Sequence, residues 1–223
     1  MNPLSDKQLE KMLRQLPSSG TDLDRAIQGV LARAERDGLI DVAYASVDSP
    51  FGKLLVARTD RGVVRLKLPG GRDGKVSDDQ TLEDLATYIS PRVLEAPGRL
   101  DEERRELEEY FEGKRDHFDV AVDWALTPAG FRNRALHAVA KIPYGKTKTY
   151  AEIAKAAGNP RAFRAAGTAC GRNPIPLIVP CHRVVQSGGG IGNYGGGPEM
   201  KRALLDLEGA INKAGPARDR PSA

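Results

Sequence analysis

Cysteine is nearly absent from this 223-residue chain, which has only Cys170 and Cys181 and none before position 170. So few thiols exclude a disulfide-stapled fold, and in a reducing compartment both are expected to be free. Histidine is as scarce, with three residues, and no pair of ligands has zinc-finger spacing, so neither a metal site nor a cofactor is expected. Long apolar runs are missing too. Nothing approaches the roughly 20 residues a membrane span needs, and no membrane partner is expected. The first residues, "MNPLSDKQLEKMLRQLP", are polar from the outset and lack the apolar core of a signal peptide, so the expected location is cytoplasmic.

What is present is charge, unevenly spread. Residues 1–120 carry 19 Lys/Arg against 24 Asp/Glu, whereas residues 121–223 carry 15 against 6. Any polyanion should therefore bind the second half, because phosphate contacts supply most non-specific nucleic-acid affinity; a merely soluble basic surface fits the charge alone equally well. The length suffices for one large domain or two small ones with a sizeable core.

The first half reads as α+β. Residues 5–16 and 21–37 have helical spacing. "DVAYASVDS", "GKLLVAR" and "GVVRLKL" are short β-rich runs separated by turn residues, an antiparallel meander. A helix over 79–89, a break at "SPRVLEAPGRL" and a charged helix through "DEERRELEEYFEG" follow, its acidic run at 101–109 read as a solvated face. "HFDVAVDW" alternates like a strand. Trp124 and Phe131 are expected in the core, His117 in solvent and His137 in a structural role.

From residue 128 the pattern is nearly all helical. Thr149 and Glu152 have capping-box spacing ahead of "YAEIAKAAG", Gly158 stops that helix, and Pro160 opens the next, "RAFRAAGTACGR". Two short helices joined by a Gly-containing turn fit a helix-turn-helix, with Arg161 and Arg164 three apart on one face. On these residues alone, an αα-hairpin with solvated arginines fits equally well.

"IPLIVPCHRVV" places Cys181, His182 and Arg183 in a row after an apolar run broken by Pro176 and Pro180. A thiolate is the reactive form of cysteine, and neighbouring positive charge or a histidine base favours it. Neighbours in extended chain point to opposite faces, so a turn or a bridging water is needed to link His182 to the sulfur. A buried structural cysteine is the commoner case. "GGGIGNYGG" contains a G-x-G-x-x-G match, but no βαβ unit surrounds it; flexible backbone close to a ligand is the better use of these glycines.

"PCHRVV", preceded by "GRNPIPLIV" and followed by "GNYGGG", resembles the methylated-DNA–protein-cysteine methyltransferases, the O6-alkylguanine-DNA alkyltransferases. The resemblance runs over residues 128–209, including "YGKTKTYAEIAKAAGNPRAFRAAG" and "LLDLEG". It implies a small antiparallel N-terminal sheet with helices, RNase H-like, and a mostly helical C-terminal domain with a helix-turn-helix. The implied division is an α+β domain over 41–125 and a DNA-binding and acceptor domain over 126–209; residues 1–40 read as an extra helical extension before the family's first strand, and the composition of 210–223 reads as a disordered tail.

The implied activity is direct-reversal DNA repair: stoichiometric, irreversible transfer of the alkyl group from O6-alkylguanine to Cys181, with O4-alkylthymine a further candidate substrate. Residue by residue, the resemblance makes His182 the base acting through a water, Glu208 its orienting carboxylate, Asn173 the brace of the turn, and Tyr150 the proton donor to guanine N3. Arg164 is implied as the finger that fills the stack when the base is extruded into the protein from the minor groove. Arg161, Ala165, Gly167, Arg172 and Tyr150 are implied at the DNA, and Val184, Tyr194, Gly195 and Gly196 around the base. The implied partner is double-stranded DNA carrying the lesion, bound by a monomer.

The chain departs from the family pattern at Gly195, where many relatives have a small side chain; only a backbone amide remains there, and a roomier pocket is the expectation. Zinc ligands that some relatives carry near the N-terminus have no counterpart. The competing reading is a non-catalytic protein that binds alkyl lesions; such relatives replace the nucleophile, which is retained here. A regulator built on the helix-turn-helix and a cysteine hydrolase are weaker alternatives.

Overall fold

The computed structural model describes residues 36–70 and 72–211 together with 25, 27, 29, 33 and 34. It divides into two compact units, Met1–Asp41 and Val42–Ala223. In the first, the described residues from 25 to 36 are helical, and Gly38 follows with φ +62°. The expected helix over 5–16 and the tail from 212 onward lie outside the described residues.

The second unit opens with the expected meander. β1 (Val42–Val47), β2 (Leu54–Thr59) and β3 (Gly62–Lys67) pair antiparallel in sequence. Their alternating apolar residues bury one face against α1 (Asp78–Tyr88), with Val42, Ala57, Val64 and Leu85 packed together. Ser77 caps α1 by accepting from Gln80 N at 3.0 Å.

A fourth strand, β4 (Val93–Glu95), lies parallel to β1, giving the order β3-β2-β1-β4. The sequence read this stretch as a break, because three residues between prolines carry no detectable period. The sheet is thus mixed rather than wholly antiparallel.

α2 (Asp101–Phe111) is not the solvated face its charge suggested. Glu103, Glu106, Leu107 and Tyr110 form a buried stripe at helical spacing. Glu106 accepts from the backbone N–H groups of Asp119 and Val120 at 2.9 and 3.4 Å. Those amides are thereby spent, and the expected strand "HFDVAVDW" reduces to one bridge, Val63 to Val122, and a 3-10 turn at Trp124–Leu126. Trp124 is half-buried and stacks on His137, ring centroids 4.0 Å apart.

The remaining elements are helical apart from one short pair of strands. α3 (Phe131–Ala140), α4 (Tyr150–Ala156), α5 (Phe163–Gly171) and α6 (Pro198–Leu207) surround a two-stranded parallel ribbon of β5 (Lys148–Thr149) and β6 (Val184–Val185). The Thr149–Glu152 capping box is formed. α4 and α5, joined across Gly158, make the helix-turn-helix. α5 begins at Phe163, so Pro160 and Arg161 lie in the turn and not in the helix. Among the described residues no helix is long and apolar enough to cross a membrane.

Candidate active site

Three prolines, Pro174, Pro176 and Pro180, deny residues 173–181 both helix and ladder, and the chain folds instead into a buried turn. Leu177 takes φ +73°, the one positive φ outside glycine among the described residues. A branched side chain in that region stores backbone strain of about 1–3 kcal/mol, which surrounding contacts must over-determine. Asn173 supplies them. Its Nδ2 donates to Val179 O at 2.7 Å, and its Oδ1 accepts from Ile175 N at 3.1 Å. The same Nδ2 lies 3.2 Å from Cys181 Sγ.

Cys181–Arg183 then forms a 3-10 turn rather than extended chain. Cys181 is buried, and burial pushes its thiol up to about 11, against the Asn173 hydrogen bond and the Lys201 charge, which both pull it down. The resting group is therefore a thiol at neutral pH. The lowering by an adjacent cation that the sequence suggested does not arise from Arg183, whose guanidinium turns away. Arg183 Nε and Nη2 bind Glu208 Oε2 and Oε1, each at 2.9 Å, and Nη1 donates to Ile142 O at 2.6 Å.

Glu208 caps α6 and accepts from four groups. Besides the fork of Arg183, His182 Nε2 lies 2.8 Å from Oε1, Tyr110 Oη donates to Oε1 at 2.7 Å, and Gly145 N approaches Oε2 at 3.4 Å. Burial works to raise the Glu208 pKa, but His182 and Arg183 outweigh it and hold the carboxyl at about 2. His182 is fully buried, which keeps its pKa below the usual value despite the pull of Glu208. With Nε2–H committed to the carboxylate, Nδ1 is the free acceptor, buried and without a partner among the described residues.

Tyr110 and Lys201 were missed by the sequence reading, and Arg183 was given the wrong partner. Lys201 is fully buried, and its Nζ donates to Val184 O at 2.5 Å and Asn193 O at 3.4 Å. It stands with Leu204, Leu205 and Glu208 on one helical face of α6, so its spacing from Glu208 was the available signal.

Cys181 opens onto a cleft of about 730 Å³ whose wall includes Tyr150, Arg164, Gly167, Arg172, Tyr194 and Gly195. The β5–β6 ribbon brings Tyr150 there, since Thr149 pairs with Val185 immediately after the cysteine turn. Burial pushes the Tyr150 phenol up to about 12, so it keeps its proton. Cys170 is buried and lines the same cleft. Arg164 and Ala165 are exposed on α5, whereas Ala166 and Ala169 are buried and pack the helix. Arg161 is exposed but sits in the turn, so the helical argument for a face shared with Arg164 fails. Val184 and Gly196 are not among the lining residues; both are buried. Among the described residues no group of three or more His, Cys, Asp or Glu could hold a metal ion.

Known proteins are similar to this chain over most of its length. The model of the 6-O-methylguanine DNA methyltransferase DNA-binding domain matches residues 130–210, and that of the ribonuclease-like domain of the same family matches 42–124. The methylated-DNA–protein-cysteine methyltransferase of Mycobacterium bovis is 40% identical over 167 residues, 75% of this chain and 92% of that one. The chain belongs to the O6-methylguanine DNA methyltransferase family. The namesake from Methanosarcina barkeri is 38% identical over 74% of this chain and 96% of its own. The Mycobacterium tuberculosis O6-methylguanine methyltransferase superposes with a TM-score of 0.64 at 36% identity, covering 78% of this chain and 96% of that one. A structure of the Mycobacterium tuberculosis protein in complex with DNA superposes with a TM-score of 0.63 at 37% identity, over 74% and 92% of the two chains.

Within the family frame, Gly195 has a specific reason. A Cβ there would lie 2.6 Å from Asp73 Oδ2 and 3.0 Å from Asp73 Cγ. Asp73 N also donates to Gly195 O at 3.1 Å. The space a side chain would fill is taken by the carboxylate of Asp73, so the glycine leaves room for that flexible side chain.

Proposed function

We propose that the protein repairs O6-alkylguanine in DNA by moving the alkyl group, once and irreversibly, onto Cys181. The observation that carries this reading is one sulfur, held as a thiol by burial and braced by Asn173, opening onto a cleft walled by the helix-turn-helix, with a His182–Glu208 pair behind it.

The step is a single displacement. The sulfur attacks the alkyl carbon, an S–C bond forms, and the C–O6 bond breaks with its electron pair passing to the guanine. The thiol proton travels through a water to His182 Nδ1, and Glu208 stabilises the imidazolium that results. Tyr150 donates to guanine N3, and the phenolate regains its proton from the relay, so the thiol proton ends on the restored base. The thioether has no route back, and each molecule acts once. O4-alkylthymine is a further candidate substrate by the same displacement.

Chemistry on a paired base requires its extrusion. Arg164, exposed at the rim, is the side chain that fills the vacated stack. Arg161, Ala165 and Arg172 meet the backbone, and Gly167 with Tyr194 and Gly195 borders the flipped base; Val184 and Gly196 support that border from behind. Docking is from the minor groove, by a monomer, in the cytoplasm. Residues 41–125 serve as the α+β domain that supplies Tyr110, and 126–209 as the DNA-binding and acceptor domain, flanked by the 1–40 extension and the 210–223 tail.

The test is a mass measurement. After incubation with duplex DNA bearing O6-methylguanine and digestion, the peptide holding Cys181 should gain one methyl group and no other peptide should. Binding without any gain would replace this reading with a lesion-binding protein.

A further inference from the structure

A second cleft, of about 630 Å³, lies behind the cysteine turn; it shares Arg172 and Asn173 with the repair site, and its other lining residues have no part in the repair reaction. Its wall is drawn from β3, α1, the start of α3 and the Arg172–Asn173–Pro174 segment. Four arginines face it, Arg65, Arg72, Arg132 and Arg172, against two carboxylates, Asp73 and Asp84. The balance is two positive charges.

Two of these arginines have unspent donors. The Nε atoms of Arg65 and Arg132 are buried and have no hydrogen-bond partner among the described residues. Arg132 uses Nη2 on Leu126 O at 2.6 Å. Among the described residues Arg65 makes no ion pair within hydrogen-bonding reach; burial lowers its pKa, and Asp73 and Asp84 act on it through their charge. Both residues are only half-buried: the Nε atoms lie shielded, and it is the guanidinium ends that remain open to an acceptor in the cleft. Asp73 does not supply one: its carboxylate lies 3.7 Å from Arg72 Nη2 instead. Asp84 is occupied with Gln80 Nε2 at 3.3 Å.

Leu85, Leu126 and Val76 form an apolar side to the same cleft, and the ring of Tyr88, 72% exposed, stands at its rim. A concave, partly apolar space of this size with convergent polar groups has the character of a small-ligand site. Guanidinium forks match tetrahedral oxyanions, which accept two parallel N–H bonds.

We propose that the cleft walled by Arg65, Arg72, Arg132 and Arg172 binds a phosphate group. The phosphate belongs either to a free phosphate ester or to the DNA backbone, which Arg172 at the end of α5 would share between the two clefts. The site abuts Asn173, whose amide touches Cys181 Sγ, so occupancy is felt at the acceptor turn.

The experiment is a titration of the full chain with inorganic phosphate by calorimetry, at constant ionic strength balanced with chloride. Saturable binding is expected. Arg65→Gln and Arg132→Gln, on separate elements, should each weaken it about tenfold or more, the usual effect of losing a charged hydrogen bond. Either variant suffices should the other fail to fold. Repeating the titration with an undamaged duplex present separates the sources. Unchanged phosphate affinity points to a free ester. Displacement of phosphate, with a matching loss of duplex affinity in Arg65→Gln, points to the DNA backbone. No saturable binding by the parent, or equal binding by both folded variants, overturns the proposal. Methyl transfer is not read in this assay, so its outcome is independent of the repair reading.

Discussion

Glu208→Gln is expected to slow methyl transfer by about 10³–10⁴-fold, the scale seen when the carboxylate behind a catalytic histidine is made neutral. Glutamine can still accept from His182 Nε2, so the imidazole keeps its place. It cannot stabilise the imidazolium that forms when the thiol gives up its proton, and with Cys181 at about 11 that proton must be taken during the reaction. The same substitution strands the buried fork of Arg183, which loses both carboxylate contacts. Breaking a buried pair from one side costs about 3–5 kcal/mol, or roughly 10 °C in melting temperature for a unit of this size.

The pH dependence has a definite sign. Glu208 sits at about 2 in the folded chain against an ordinary 4.5, so its stabilisation is present above about 4.5 and drains away as the pH falls towards 2. Thermal melts of parent and variant between pH 2 and 7 should converge at the acid end. A variant that transfers methyl within threefold of the parent, or melts within two or three degrees of it at pH 7, would contradict the network.

Arg164→Ala should separate extrusion from chemistry. Arg164 is exposed at the cleft mouth and touches neither Cys181 nor the Glu208 network. Unstacking a base costs a few kcal/mol, and losing the side chain that fills the gap should return about 2 kcal/mol of it to the barrier. Transfer from O6-methylguanine in a duplex should then slow about 30-fold. Transfer from free O6-benzylguanine, which has no stack to leave, should change less than twofold. Equal losses on both substrates would mean that Arg164 shapes the pocket instead.

The acceptor motif was readable because its residues are contiguous. Pro180, Cys181, His182 and Arg183 stand together, and Glu208 ends a strongly periodic helix. Tyr110 was hidden, 98 residues from the carboxylate it serves, inside an acidic run that composition alone assigns to solvent. Its stripe with Glu103, Glu106 and Leu107 was the overlooked sign. Arg183 was read as a neighbour of the thiol because adjacency in sequence suggests adjacency in space; the 3-10 turn sends it to Glu208 instead. β4 and the β5–β6 ribbon are too short to show a period, and the alternation of "HFDVAVDW" was overruled by Glu106, which takes its amides. The meaning of Gly195 depended on Asp73, 122 positions away, which no local pattern could supply.

The central claim is that one sulfur accepts one alkyl group and is then finished. Limiting protein should be incubated with excess duplex carrying O6-methylguanine, and restored guanines counted per protein molecule over time. The predicted result is a plateau at one, with every Cys181 methylated and a Cys181→Ser variant leaving the DNA unchanged. A count that keeps rising past one, or removal of the methyl group by the serine variant at the parent's rate, would contradict the account.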